Sequence, residues 1–187
     1  MLPEASRRLA DDHSALDGVL SGLRKALDAG DVAASHASLD LFWARLAIHI
    51  RAEHLHLFPA IINGLSKIPA GQAVAPTRNE GQQAIERLRG DHDFFMHGLA
   101  RAIGILRDLM NNLDPMTLDE GMRVVREAVL EVQNRLTIHN ELEESQVYRW
   151  AETILTEQEQ AELATRISAE LANLPPRFSQ TPGSIQQ

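Results

Sequence analysis

Apolar residues recur along most of this chain at spacings of three and four, the period of one face of an α-helix. From about Pro3 to Asp28 the stripe reads Leu9, His13, Leu16, Leu20, Leu23, Leu27, and Gly30 ends it. A second helix is predicted from about Val32 to Ile62, closed by Asn63-Gly64, with Pro59 kinking or loosening its last turns. No strong periodicity runs from Leu65 to Asn79, which therefore reads as a connection. A third helix covers about Glu80 to Asn112, with His92, Phe95, Met96, Leu99, Ile103 and Leu106 turned inward. The fourth opens on the capping-box pattern Thr117-x-x-Glu120 and runs to about Ile154. A shorter fifth opens on Thr156-x-x-Glu159 and ends by Leu174. Nothing reads as a strand. From Pro175 the chain is rich in Pro, Ser and Gln, so a domain over 1–174 and a disordered tail over 175–187 are expected.

Four helices of roughly 26–38 residues would be about 40–55 Å long. Short connections within each pair favour antiparallel neighbours, hence an all-α, up-down-up-down four-helix bundle with a short fifth C-terminal helix.

The polar interruptions of these stripes repeat. His49-x-x-x-Glu53, followed by Leu57-Phe58, returns as His139-x-x-x-Glu143, followed by Val147-Tyr148. Each is preceded by a matching segment, Asp12-His13-x-x-Leu16-x-x-x-Leu20 and Asp91-His92-x-x-Phe95-x-x-x-Leu99. Residues i and i+4 share one helix face, so each hairpin carries a His on one helix and a His–Glu pair on the next. His13, His49, Glu53, His92, His139 and Glu143 all fall in register with the leucines and should point inward.

Any one buried histidine is readily accounted for as an ordinary core residue. The set is not. Burying an unpartnered polar side chain costs roughly 1–3 kcal/mol, so the group would cost on the order of the whole 5–15 kcal/mol stability of a domain. A pair of metal ions would satisfy it. Imidazole and carboxylate without sulfur suit Fe, Mn or Zn, and two glutamates on facing helices can each bridge two ions. Such a centre leaves room for an oxo or hydroxo bridge and for O2, peroxide or NO.

Composition narrows the alternatives. Asp+Glu number 26 against 18 Lys+Arg, a net charge of −8, which argues against a nucleic-acid or anionic-membrane partner. No apolar run approaches the roughly 18–20 residues of a membrane span. The N-terminal residues lack a signal-peptide core, and a cytoplasmic location is expected. Cysteine is absent, which excludes disulfides, thiolate metal sites and a Cys nucleophile.

The pattern His13 … His49-x-x-x-Glu53 … His92 … His139-x-x-x-Glu143, with Leu57-Phe58-Pro59 closing the second helix, resembles the hemerythrin-like (HHE cation-binding) domains over about Asp11 to Trp150. The resemblance implies a non-haem di-iron centre in a four-helix bundle. By position, His13 and His49 would bind one iron, His92 and His139 the other, and Glu53 and Glu143 would bridge. It implies a protein that binds or senses O2, NO or iron. The alternative is a di-iron enzyme or repair factor for oxidative or nitrosative stress, acting on peroxide or NO or donating iron to iron–sulfur clusters. The family's oxygen carriers have a fifth histidine one turn after the third-helix His; here that position is Met96, and His97 lies off the metal face. The cluster-repair members also carry paired N-terminal cysteines, which this chain lacks.

Other residues read more simply. Glu144 rivals Glu143 as the fourth-helix carboxylate, because carrier-type sites place it five residues after the His. His56 is either an outlying partner of the site or a partly exposed residue, and His54 and His36 read as exposed. Phe42, Trp43, Phe94 and Phe95 read as core packing that could wall the site.

Overall fold

The computed structural model describes residues 4–69, 76–111 and 114–179, and every regular element among them is helical. Helix α1 spans Glu4–Asp28 and α2 spans Val32–Ala52. A π-helical turn over Glu53–Leu57, here π1, joins α2 to α3 (Phe58–Lys67) as one rod. After the connection comes α4 (Arg78–Asn111), then α5 (Pro115–Leu142), which continues through a second π turn, π2 (Glu143–Val147), into α6 (Tyr148–Ile154). Helix α7 spans Glu157–Leu171 and α8 is the single turn Pro176–Ser179.

The long rods pack in a closed circuit: α1 on α2, α2 on α4, α4 on α5, and α5 back on α1. Helix α7 lies across α1 and α2. No described helix is long and apolar enough to cross a membrane.

Local chemistry sets the ends. Gly30, at φ 69°, is the only positive-φ glycine among the described residues and takes the left-handed step that closes α1. Gly30 N–H and Asp31 N–H donate to Leu27 O and Ala26 O at 3.1 Å each. Asp31 then caps α2 by accepting from Ala34 N–H at 2.9 Å. The capping box expected at Thr156–Glu159 is present at the start of α7. The Thr117 start is corrected: the cap is Asp114, which accepts from Thr117 N–H at 3.0 Å, with Pro115 in the first turn where no N–H is needed. The stop at Asn63-Gly64 is corrected too, since the rod runs on to Lys67. Gly64 is not a C-cap; it lets α6 approach closely, for a Cβ there would collide with the Ile154 side chain.

The core falls into two apolar clusters. One holds Leu16, Leu20, Leu23, Phe42, Leu46, Phe95, Leu99 and Leu136; the other holds Leu9, Leu57, Phe58, Ile61, Leu88, Val147, Tyr148 and, from α7, Leu163 and Ile167. His13 lies between Leu9 and Leu16 along α1, and His92 lies between Leu88 and Phe95 along α4. A polar layer therefore crosses the core, sealed by apolar packing on both sides. In the segment expected to be disordered, α8 forms one turn and Arg177 pairs with Asp40 at 2.9 Å; residues 180–187 lie outside the described residues.

Candidate metal centre

All six residues singled out from the sequence come together in that layer. His13, His49, His92 and His139 are 2–4% exposed, and Glu53 and Glu143 are fully buried. The imidazoles meet in pairs: His13 Nε2 faces His49 Nε2 at 3.0 Å, and His92 Nε2 faces His139 Nε2 at 3.0 Å. Each carboxylate spans both pairs. Glu53 Oε1 is 3.6 Å from His49 Nε2 while its Oε2 is 3.3 Å from His92 Nε2. Glu143 Oε2 is 3.3 Å from His13 Nε2 while its Oε1 is 3.1 Å from His139 Nε2.

The outer edges of the rings fix which nitrogen points inward. His49 Nδ1–H donates to Asp12 Oδ2 at 3.0 Å, and Asp12 Oδ1 accepts from Arg45 at 2.8 Å. The second hairpin repeats this: His139 Nδ1–H donates to Asp91 Oδ2 at 3.3 Å, and Asp91 Oδ1 accepts from Arg135 at 2.6 Å. So the Asp of each Asp-His pair serves the histidine of the next rod, not its own neighbour. His13 Nδ1–H donates to Glu144 Oε1 at 2.8 Å, whereas His92 Nδ1 faces His54 Nε2 at 2.8 Å. A carboxylate can only accept, so His13, His49 and His139 carry a proton on Nδ1 and in the neutral form turn a bare Nε2 lone pair inward.

The bare lone pairs of His13 and His49, 3.0 Å apart among the carboxylate oxygens, repel unless a cation or protons lie between them. Two oxygens, Glu53 Oε2 and Glu143 Oε1, are buried without a hydrogen-bond partner. The pKa shifts report the same field. Burial acts to lower His49, but Glu53 beside it and the Asp12 hydrogen bond push it up to about 10. Burial acts to lower His139 as well, but Glu143, Glu53 and the Asp91 hydrogen bond together raise it. Burial acts to raise Glu53, yet His49 and His92 hold it well below the usual carboxylate range. Ligand atoms of Glu53, His92, His139 and Glu143 lie within 4.8 Å of one another, and so do those of His13, His49 and Glu143. The donor set and its orphaned oxygens fit divalent or trivalent ions, with outer hydrogen bonds orienting the imidazoles as metal-binding histidines require.

The π turns belong to this site. Phe58 N–H bonds to Glu53 O and Tyr148 N–H to Glu143 O, each spanning five residues. The extra residue brings position i+5 onto the face that i+4 would occupy, and such turns cluster at functional sites. Pro59, which cannot donate to the residue four before it, follows π1, where the sequence predicted loosening. Arg149 holds the matching place after π2, so proline is not the shared cause; each π turn begins at a buried glutamate.

Tyr148 is the residue that sequence reasoning missed. Its hydroxyl is 2.9 Å from Glu53 Oε1, 3.2 Å from Glu143 Oε2 and 3.4 Å from His13 Nε2. Burial, then Glu143 and Glu53, hold its phenol well above the usual range. In an ordinary α-helix a residue five after Glu143 lies about 140° around from it, which is why periodicity gave no signal.

Other expectations divide. Glu144 is not in the inner cluster; it reaches the outer edge of His13 with 44% of its side chain exposed. His54 is corrected from exposed to half-buried, with a pKa lowered by burial and by His92, as suits a neutral hydrogen-bond partner. His36 is corrected as well: it is partly buried, its Nε2 without a hydrogen-bond partner. His56 faces Arg166 and Glu170, away from the centre. His97 is exposed and its Nδ1–H donates to Asp93 O at 2.7 Å, while Met96 packs against the larger apolar cluster. Phe95 meets His139 edge-on at 5.2 Å. A cleft of about 880 Å³ between α1 and α5 ends at His13, with Glu144 on its wall.

Against known proteins, the family model described as the hemerythrin HHE cation binding domain matches residues 4–151. Neither a curated protein nor a solved structure matches the chain.

Proposed function

The chain belongs to the hemerythrin family of HHE cation-binding domains, and from that premise we propose that it is a non-haem di-iron protein that binds or senses O2 or NO. The observation that carries this reading is the crosswise sharing of carboxylates. Each glutamate offers one oxygen to the His13–His49 pair and the other to the His92–His139 pair, at 3.1–3.6 Å. That is the disposition of two bridging carboxylates between two ions, each with two terminal imidazoles. Nitrogen and oxygen donors without sulfur favour iron among the metals that also bind small oxidising ligands. The ions would supply redox-active coordination for the diatomic. The protein holds the imidazoles by their Nδ1 edges, excludes bulk water with its two apolar clusters, and sets Phe58 and Phe95 against the His92–His139 side. The fold we propose to go with this function is the up-down-up-down bundle, with α7 closing the end nearest Tyr148.

Metal analysis of protein made with iron available tests the reading. The expected content is close to two irons per chain, reduced to one by His13→Ala and lost with Glu53→Ala. Unchanged iron in His49→Ala or Glu143→Ala would sink the ligand assignment. Anaerobically reduced protein should then form a reversible adduct with O2 or NO. Continuous consumption of NO or peroxide would instead favour an enzyme.

A further inference from the structure

The two halves of the centre are not chemically equal. The repeat that relates His49–Glu53 to His139–Glu143 also relates Phe58 to Tyr148, each five residues beyond its glutamate across a π turn. Phe58 can only stack on His92, with ring centroids 6.1 Å apart. Tyr148 places an oxygen among the donors of the other half.

The spacing of that oxygen is informative. Metal bonds to nitrogen and oxygen of about 2.0–2.2 Å put neighbouring donors of an octahedral shell about 3 Å apart. In the His13–His49 half the donor separations are 3.0 Å between imidazoles, 3.3 Å from His13 to Glu143 and 3.6 Å from His49 to Glu53. Tyr148 Oη stands 2.9, 3.2 and 3.4 Å from Glu53 Oε1, Glu143 Oε2 and His13 Nε2, the same edge lengths. A hydroxyl has one proton, which cannot serve two carboxylate oxygens and an imidazole lone pair together. One cation among these atoms satisfies all of them. Among the described residues nothing plays this part in the opposite half, and Glu53 Oε2 and Glu143 Oε1 remain without a hydrogen-bond partner.

We propose that Tyr148 Oη is a fifth protein donor to the ion held by His13 and His49, so that external ligands bind at the ion held by His92 and His139. This rests on the di-iron reading above. Tyrosine oxygen is an established donor to iron in other proteins. A bound cation reverses the local field that otherwise keeps the phenol protonated, so its proton passes to solvent as the Oη–metal bond forms. The half that carries Phe58 keeps an open position, walled by Phe58 and Phe95.

Spectroscopy of the iron-loaded, oxidised protein tests this directly. Wild type should show a visible phenolate-to-iron charge-transfer band with matching phenolate modes in resonance Raman, and should bind one azide per centre. Tyr148→Phe should keep two irons and full helicity, lose the band, and bind a second azide. Phe58→Tyr, the gain-of-donor variant, should roughly double the band and lose azide binding. A Tyr148→Phe protein with unchanged visible spectrum and azide stoichiometry overturns the proposal and leaves Tyr148 a hydrogen-bonding residue. Were Tyr148→Phe unable to fold, a Phe58→Tyr spectrum identical to wild type would overturn it as well. Absence of bound iron in wild type removes the di-iron reading itself, a result distinct from two bound irons without a phenolate band.

Discussion

Replacing Asp12 by Asn isolates the outer contact that aims His49. Asp12 accepts from Arg45 at 2.8 Å and from His49 Nδ1–H at 3.0 Å, one bond to each carboxylate oxygen. Burial acts to raise its pKa, but His49 and Arg45 more than offset this and hold it ionised. Asn keeps the shape but exchanges one acceptor for an N–H2 donor, which must face either the guanidinium or the imidazole N–H. The guanidinium keeps the remaining oxygen, so His49 loses its anchor. A hydrogen bond to a charged group contributes about 1.5–3 kcal/mol. Outer partners of metal-binding histidines are worth about 10–100-fold in affinity, or about 1.4–2.7 kcal/mol. The two routes agree. Equilibrium competition against a graded iron chelator, with helicity followed in parallel, should therefore show iron held about 10–100-fold more weakly in Asp12→Asn. Asp91→Asn should behave alike but less severely, because its contact to His139 is longer at 3.3 Å. Exposed Asp11 supplies the control. If Asp12→Asn holds iron as tightly as Asp11→Asn does, Asp12 is a partner for Arg45 alone and the crosswise Asp–His relay has no role.

Chelating the metal should lower the melting temperature by roughly 5–10 °C, taking about 2.7 kcal/mol of linkage at ligand a hundred times Kd and about 2–4 °C per kcal/mol at this size, with helicity retained at room temperature. Because His49 is raised from 6.5 to about 10, its contribution to the chelated fold is complete below about pH 6.5 and lost as pH rises through about 10; the chelated protein should lose melting temperature over that window and the loaded one should not. At neutral pH metal uptake should release protons, measurable with an indicator dye, and affinity should fall on acidification. Gly18→Ala and Gly104→Ala, where an added Cβ meets nothing within 4 Å, should each add about 0.5–1 kcal/mol in chemical denaturation. Gly64→Ala, which drives a Cβ into Ile154, should cost about 1–3 kcal/mol. Deleting exposed Gln146 from π2 should be tolerated, since the turn holds one residue more than an α-turn, whereas deleting exposed Asn134 within α5 should rotate His139 and Glu143 by about 100° and abolish iron binding.

Much of the fold and the six clustered residues were legible because periodicity reports burial. His13, His49, His92 and His139 occupy leucine-stripe positions, and a polar residue on such a stripe must be answered by something inside. Local rules served where the residue acts through its own backbone, as with Gly30 and the Thr156–Glu159 box. They failed where a residue acts at a distance. Gly64 has the sequence of a helix stop, yet its function is to admit a side chain from a rod some ninety positions on. At Thr117 the competition is local instead: Asp114 three residues earlier, followed by Pro115, is the stronger N-terminus and takes the cap.

The harder misses share one cause. Helical phase was carried unbroken through Glu53 and Glu143, where the chain inserts a residue into the turn. Beyond each π turn the face that meets the centre shifts by one position, so unbroken periodicity gives no signal that Phe58 and Tyr148 face it. Nothing in composition marks a π turn, and proline follows one of the pair but not the other. The repeat itself held the missing signal. Aligned on their His-x-x-x-Glu motifs, the hairpins match in register through the aromatic position that closes each motif, and there one has Phe58 and the other Tyr148. One residue into each of those aligned turns, His54 stands opposite Glu144, and these two hold the outer edges of His92 and His13. A symmetric ligand set thus sits in an asymmetric surround, in which one side is given carboxylate and phenol oxygen and the other imidazole and phenyl. Duplicated geometry accounts for why two ions would be held; the substitutions between the copies are where the two ions would acquire different tasks.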